Sequence, residues 1–162
     1  MAGMTVQWLS QEQQRVWRRY LRLGRLLPAR LSQELDASSG LTGAEYEVLV
    51  NLSETPDGRL RPFQLGEAMR WEQSRLSHQL SRMQRRGLVT RDACPSDGRG
   101  AFVALTEAGR HAIESAAPAH VAAVRKFVFD RLTEQEAEAF GQTCAKIIAA
   151  IEDSPGPDPE GT

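Results

Sequence analysis

The 162-residue chain has only two cysteines, Cys94 and Cys144, and no C-x-x-C pair. A disulfide framework and a thiolate zinc cage are therefore excluded. Long apolar runs are missing too. The stretch 112–123 is broken by Glu114, Pro118 and His120 and is too short to cross a bilayer. Met1–Gln14 lacks a basic-then-apolar leader, which points away from secretion and toward the cytoplasm. No glycine-rich phosphate loop occurs, because Gly98-Arg99-Gly100 is too short and precedes a strand. Ser77 and His78 are adjacent on a helix and point apart, so they form no nucleophile–base pair. His111 and His120, nine residues apart, lack metal-ligand spacing. The chain is read as a non-enzyme with no cofactor and no metal.

An excess of one charge is absent as well, with 20 basic against 21 acidic residues and net charge −1. The distribution is uneven, however. Residues 59–99 carry nine arginines and four acids, net +5, and residues 100–162 are net −5. A locally basic stretch in a neutral chain is the mark of a confined anion-binding surface.

Capping signals divide the chain into helices. Ser10-Gln11-Glu12-Gln13, Thr42-Gly43-Ala44-Glu45 and Thr133-Glu134-Gln135-Glu136 are capping boxes. The first opens an apolar stripe, Val16, Tyr20, Leu23, Leu27 and Leu31, with arginines at 15, 18, 19, 22 and 25 opposite. Pro28 predicts a kink or a break there, and Asp36–Gly40 reads as loop. A short piece, Arg59-Leu60-Arg61, precedes a helix over about 62–69 that starts on Pro62. A second helix covers about 73–86, with Leu76, Leu80 and Met83 on one face and Gly87 as its stop. The period then changes to two over 88–92 and 101–105, around a turn-rich 95–100, which predicts a β-hairpin. Helices follow at about 107–131 and from Thr133 to 151, and three prolines and two glycines mark 153–162 as a disordered tail.

Two short adjacent helices followed by a hairpin read as a winged helix-turn-helix. The fold class is mainly α with a small β wing, plus N- and C-terminal dimerisation helices. The regions are 1–40, 41–105 for the winged domain, 106–152 and the tail. A recognition helix in the major groove needs short polar and basic side chains on its outer face. Here that face carries Gln73, Ser74, Arg75, Ser77, His78, Ser81 and Arg82, and no acid occurs between Gln73 and Asp92. Arg75 suits guanine and Gln73 adenine. Arg82, Arg85, Arg86 and Arg91 suit phosphates, and Arg99 at the hairpin tip suits the minor groove.

Residues 74–109 resemble the recognition helix and wing of MarR-type transcription regulators. The helix is similar to the family's S-T-V-S-R-L-V-D-R-L-E-K-K-G-L-V-x-R pattern. Asp97-Gly98-Arg99 resembles its D-x-R wing tip, and Leu105-Thr106-Glu107-Ala108-Gly109 its L-T-x-x-G close. Leu41-Thr42, Tyr46 and Val48-Leu49 fit its second helix, and the resemblance spans about 10–151. His78 departs from the arginine common there. The resemblance implies a homodimeric repressor on a pseudo-palindromic duplex, released by a small aromatic or lipophilic effector. Effector candidates are Arg15, Trp17, Tyr20, Tyr46 and Trp71, with Trp8 and Arg19 nearby in sequence. The apolar stripes over 10–36 and 107–151 have no partner within a small winged domain and need another surface. A winged-helix protein-interaction module without a DNA role is the alternative, as is thiol sensing through Cys94. Cys144, on an apolar stripe, reads as core.

Overall fold

The computed structural model describes residues 7–93 and 101–154. In order, these form α1 (Gln11–Ser39), α2 (Gly43–Ser53), β1 (Arg59–Leu60), α3 (Pro62–Met69), α4 (Gln73–Arg85), β2 (Val89–Ala93), β3 (Ala101–Leu105), α5 (Glu107–Phe127), a 3-10 turn (Phe129–Arg131) and α6 (Glu134–Glu152). The mainly helical fold with a small sheet is the one expected. The wing tip, with Cys94 and Arg99, and the tail beyond residue 154 lie outside the described residues.

The chain divides into two units, residues 1–121 and 122–162. In the first, β1, β3 and β2 form an antiparallel sheet in that order. Val89 faces Leu105, Arg91 faces Val103 and Leu60 faces Val103 from the other side. The sequence predicts the hairpin, and it marks β1 only as a short piece before Pro62. The core gathers Leu35 and Leu41, then Val48, Leu49 and Leu52 of α2, Leu65 of α3, Leu76, Leu80 and Met83 of α4, Val89, Val103 and Ile113. Each fully buried leucine contributes about 1.5–3 kcal/mol, so this apolar set positions α3 and α4. In the second unit, Thr133 caps α6 by accepting the Glu136 N–H at 3.2 Å, and Phe140, Ile147, Ile148 and Ile151 are exposed.

Three expectations need correction. The break at Pro28 does not occur, and α1 runs through it as one helix of 29 residues. Helix flanks this long outweigh the loss of one backbone hydrogen bond. The loop at 36–40 is helical as far as Ser39. Leu35 is 2% exposed and anchors the last turn, the Ser39 hydroxyl donates to its carbonyl at 2.7 Å, and Gly40 closes the end at φ 66°. The helix after the wing stops at Phe127, with the 3-10 turn completing the stretch to Arg131.

The junction of wing and α5 explains the L-T-x-x-G sequence. The Thr106 hydroxyl donates to the Gly87 carbonyl at 2.6 Å and accepts the Gly109 N–H at 2.9 Å. This ties the start of α5 to the turn that ends α4. A methyl group on Gly109 would collide with the Leu88 carbonyl. Gly109→Ala is therefore expected to cost about 1–3 kcal/mol in urea unfolding. Gly141→Ala, where an added carbon meets nothing within 4 Å, is the control and should be neutral or stabilising. Equal midpoints for the two variants would contradict the packing described.

Candidate nucleic-acid interface

α4 is a two-faced helix. Leu76, Gln79, Leu80 and Met83 are buried, and Gln73, Ser74, Arg75, Ser77, His78, Ser81, Arg82 and Arg85 are exposed. Arg82 and Arg85 lie in its last turn, where the helix dipole favours cations. The exposed face holds no carboxylate, so a phosphate chain approaches it without repulsion. Ser81 donates its hydroxyl proton to the Ser77 carbonyl at 2.9 Å, which leaves its oxygen as an acceptor. Gln73, Ser77 and Arg91 line one small hollow of about 190 Å³ with Pro62, Leu76, Leu80 and Ala101, so the helix and the wing strands meet there.

Arg86, expected to face phosphates, is already paired within the fold. Its Nη1 donates to both Glu45 oxygens at 2.6 and 2.7 Å, and its Nη2 donates to the Gly40 carbonyl at 3.1 Å. The Glu45 side chain is 3% exposed and also accepts the Thr42 N–H at 2.9 Å, as the capping box requires. A buried carboxylate takes the nearest guanidinium, and Arg86 at the end of α4 is that group. Arg75 is also engaged: its guanidinium lies over the Trp71 ring, 4.0 Å from the centroid. Sequence reasoning missed Phe102, which sits 5.2 Å from both the Arg59 and Arg61 guanidinium carbons. The alternation Arg59-Leu60-Arg61, with the strand period of two, was the available signal.

Beside α4, a cavity of about 490 Å³ is walled by α1 (Pro28, Leu31, Leu35), α2 (Tyr46, Glu47, Val50), the α3–α4 turn and α4 (Trp71, Arg75), and α5 (His120). Of the expected effector set, Tyr46 and Trp71 line it. Arg15, Trp17 and Tyr20 do not. They lie on the exposed first half of α1, where Trp17 stacks on Tyr20 at 5.3 Å and Arg15 pairs with Glu12 at 2.9 Å. The structure adds His120, whose ring is 4.4 Å from that of Tyr46 and whose Nδ1 is buried without a hydrogen-bond partner. Its place after Ile113 and Ala116 on one helical stripe was the signal for it. Burial pushes the His120 imidazole below its ordinary 6.5 and the Tyr46 phenol above its ordinary 10.0. Among the described residues no group of three His, Cys, Asp or Glu side chains could hold a metal, and no helix is long and apolar enough to cross a membrane.

The MarR family model matches residues 39–100. The transcriptional regulator HosA of Escherichia coli O111:H- is 33% identical over 110 residues, which is 68% of this chain and 79% of that protein. The crystal structure of AbsC, a MarR family transcriptional regulator from Streptomyces coelicolor, superposes with a TM-score of 0.85 at 38% identity, covering 92% of this chain and 100% of that one. Sco3205, a MarR family regulator from the same organism solved in complex with DNA, also gives 0.85 and 38%, covering 93% and 97%. The chain belongs to the MarR family. Its α3 and α4 are the helix-turn-helix of a MarR transcription regulator, and its β2–β3 hairpin is the wing.

Neighbouring arginines in this MarR chain differ in surroundings: Arg85 is exposed, and Arg86 is paired with buried Glu45. Arg85→Ala should leave the urea midpoint unchanged and weaken duplex binding. Arg86→Ala leaves Glu45 buried without its partner and should cost about 1–3 kcal/mol of stability, reduced because the Arg86 side chain is 46% exposed. Equal stability losses would contradict this division.

The His120 shift carries a sign. The folded state disfavours the imidazolium, so the unfolded chain binds more protons below its pKa. This contribution is complete above about pH 6.5 and is lost as pH falls from there through the lower folded-state pKa. His120→Gln should flatten the stability profile on the acid side. An unchanged slope would contradict the burial argument.

Proposed function

We propose that this MarR regulator is a homodimeric repressor acting in the cytoplasm. In this reading it holds a two-fold-symmetric duplex with α4 and the wing and leaves it when a small aromatic or lipophilic effector binds. The observation that carries the reading is the acid-free outer face of α4, set on a buried Leu76, Leu80 and Met83 stripe. Similarity to a family member solved on DNA supports it.

The roles follow from side-chain chemistry. Arg75 and Gln73 serve guanine and adenine edges, and Ser74, Ser77, His78 and Ser81 serve nearby bases or phosphates. Arg82, Arg85 and Arg91 neutralise phosphates, and Arg99 reaches the minor groove. The exposed apolar residues Val16, Trp17, Tyr20, Leu23 and Leu26 of α1 and Phe140, Ile147, Ile148 and Ile151 of α6 need cover. A second copy supplies it. α1 carries net charge +3 and α6 net −3, so α1 of one copy attracts α6 of another. The cavity holding Tyr46 and Trp71 is the proposed effector site.

Light scattering should give twice the chain mass of 18.0 kDa, and a monomer at micromolar concentration would overturn the dimer. Three phosphate-directed arginines per copy, Arg82, Arg85 and Arg91, predict that log affinity falls against log salt with a slope of about −5 for the dimer. A slope near zero would overturn the phosphate contacts.

A further inference from the structure

The hollow between α4 and the wing strands has two chemically distinct parts. Its floor is apolar, made by Pro62 of α3, Leu76 and Leu80 of α4, and Ala101 of β3. Its rim is polar, with Gln73 and Ser77 of α4 on one side and Arg91 of β2 on the other. Arg91 stands opposite Val103 in the ladder, so it shares the sheet face of that buried residue. Asp92 stands opposite Phe102 and falls on the other face. Among the described residues no carboxylate lines the hollow. Its volume, about 190 Å³, is that of roughly six water molecules.

A duplex with α4 in its major groove and the wing in the adjoining minor groove carries one strand across the gap between them. That strand presents phosphates and sugars there. A phosphate suits the Arg91 guanidinium and the Gln73 and Ser77 side chains at the rim. It does not suit the floor, where no donor replaces its lost water. The apolar edge of a deoxyribose does, because its 2′-carbon is a methylene and burying a methylene is favourable. We propose that the hollow is a deoxyribose seat, with the 2′-methylene of one nucleotide on the Pro62, Leu76, Leu80 and Ala101 floor and a flanking phosphate at Arg91. This rests on the reading that α4 and the wing hold a duplex, and it adds a discrimination of the sugar. A ribose at that nucleotide brings its 2′-hydroxyl onto a surface that has no partner for it. The 2′-hydroxyl is what separates RNA from DNA at a single contact. The regulator therefore rejects an RNA strand at this seat as well as through groove shape.

The test uses the full-length protein and a duplex it selects from a random pool. Single ribonucleotides are walked along both strands, and affinity is read by fluorescence anisotropy. One position, repeated by any symmetry of the site, should lose about 5- to 150-fold, the effect of a buried hydroxyl left unpaired. A 2′-fluoro sugar there keeps the ribose pucker without the hydroxyl and should retain most of the affinity. Ala101→Ser places a hydroxyl partner at the floor and should narrow the ribose loss. Ala101→Leu fills the hollow and should weaken the all-DNA duplex at an unchanged urea midpoint, since Ala101 is exposed. An equal loss with the 2′-fluoro sugar makes pucker the cause and overturns the seat. Loss on exchanging thymine for uracil, with ribose tolerated throughout, puts a base methyl in the hollow and also overturns it. The absence of any ribose-sensitive position overturns the seat and leaves the duplex reading standing. Failure to bind any duplex overturns that reading itself.

Discussion

The direction in which α4 points rests on the pair between Arg86 and Glu45. Glu45 serves twice, as the third residue of a capping box that starts α2 and as the buried acceptor for the arginine that ends α4. Arg86 also reaches the Gly40 carbonyl, at the turn where α1 ends. Three helix ends are thus joined by one guanidinium. Apolar packing of Leu76, Leu80 and Met83 holds the helix in the core, but apolar contacts are non-directional. A paired and hydrogen-bonded charge is directional, and its loss leaves a carboxylate in a dry site. The reading face inherits its angle from this joint and from the Thr106 hydroxyl, which fixes the turn immediately after the helix.

The opposite end of α4 is held more loosely. Arg75 rests on Trp71 through a cation–π contact, worth about 0.5–2 kcal/mol depending on desolvation. The C-terminal end of α4 is thus held by a buried ion pair and its N-terminal end by a side-chain contact at the surface. His120 and Tyr46 extend this region toward α5, and the buried, unpartnered Nδ1 is the kind of group a bound molecule satisfies.

Much of this could be read from the chain. The capping boxes at Ser10, Thr42 and Thr133, the stop at Gly87 and the α4 stripe are local signals, and local rules decide them. Failures came where distant residues decide. Arg86 looks like its neighbour Arg85 in sequence, and only Glu45, 41 positions away, makes it structural. Helix around Pro28 persists because its flanks are long, a property no short window reports. The 36–39 turn is helical because Leu35 finds the core. The aromatic candidates divided for the same reason: Tyr46 and Trp71, from different elements, line one cavity, whereas Trp17 stacks on Tyr20 of its own helix. Net charge was informative only after division, since the basic excess of 59–99 coincides with β1, α3, α4 and the wing.

In the proposed dimer, two copies present two α4 helices, each held at a fixed angle, to one duplex. Selection of duplexes from a random pool by the full-length protein tests this most directly. The expected result is enrichment of a two-fold-symmetric motif whose half-sites lie about one helical turn, ~10 base pairs, apart. Enrichment of a single unpaired half-site, or of no motif, would contradict it.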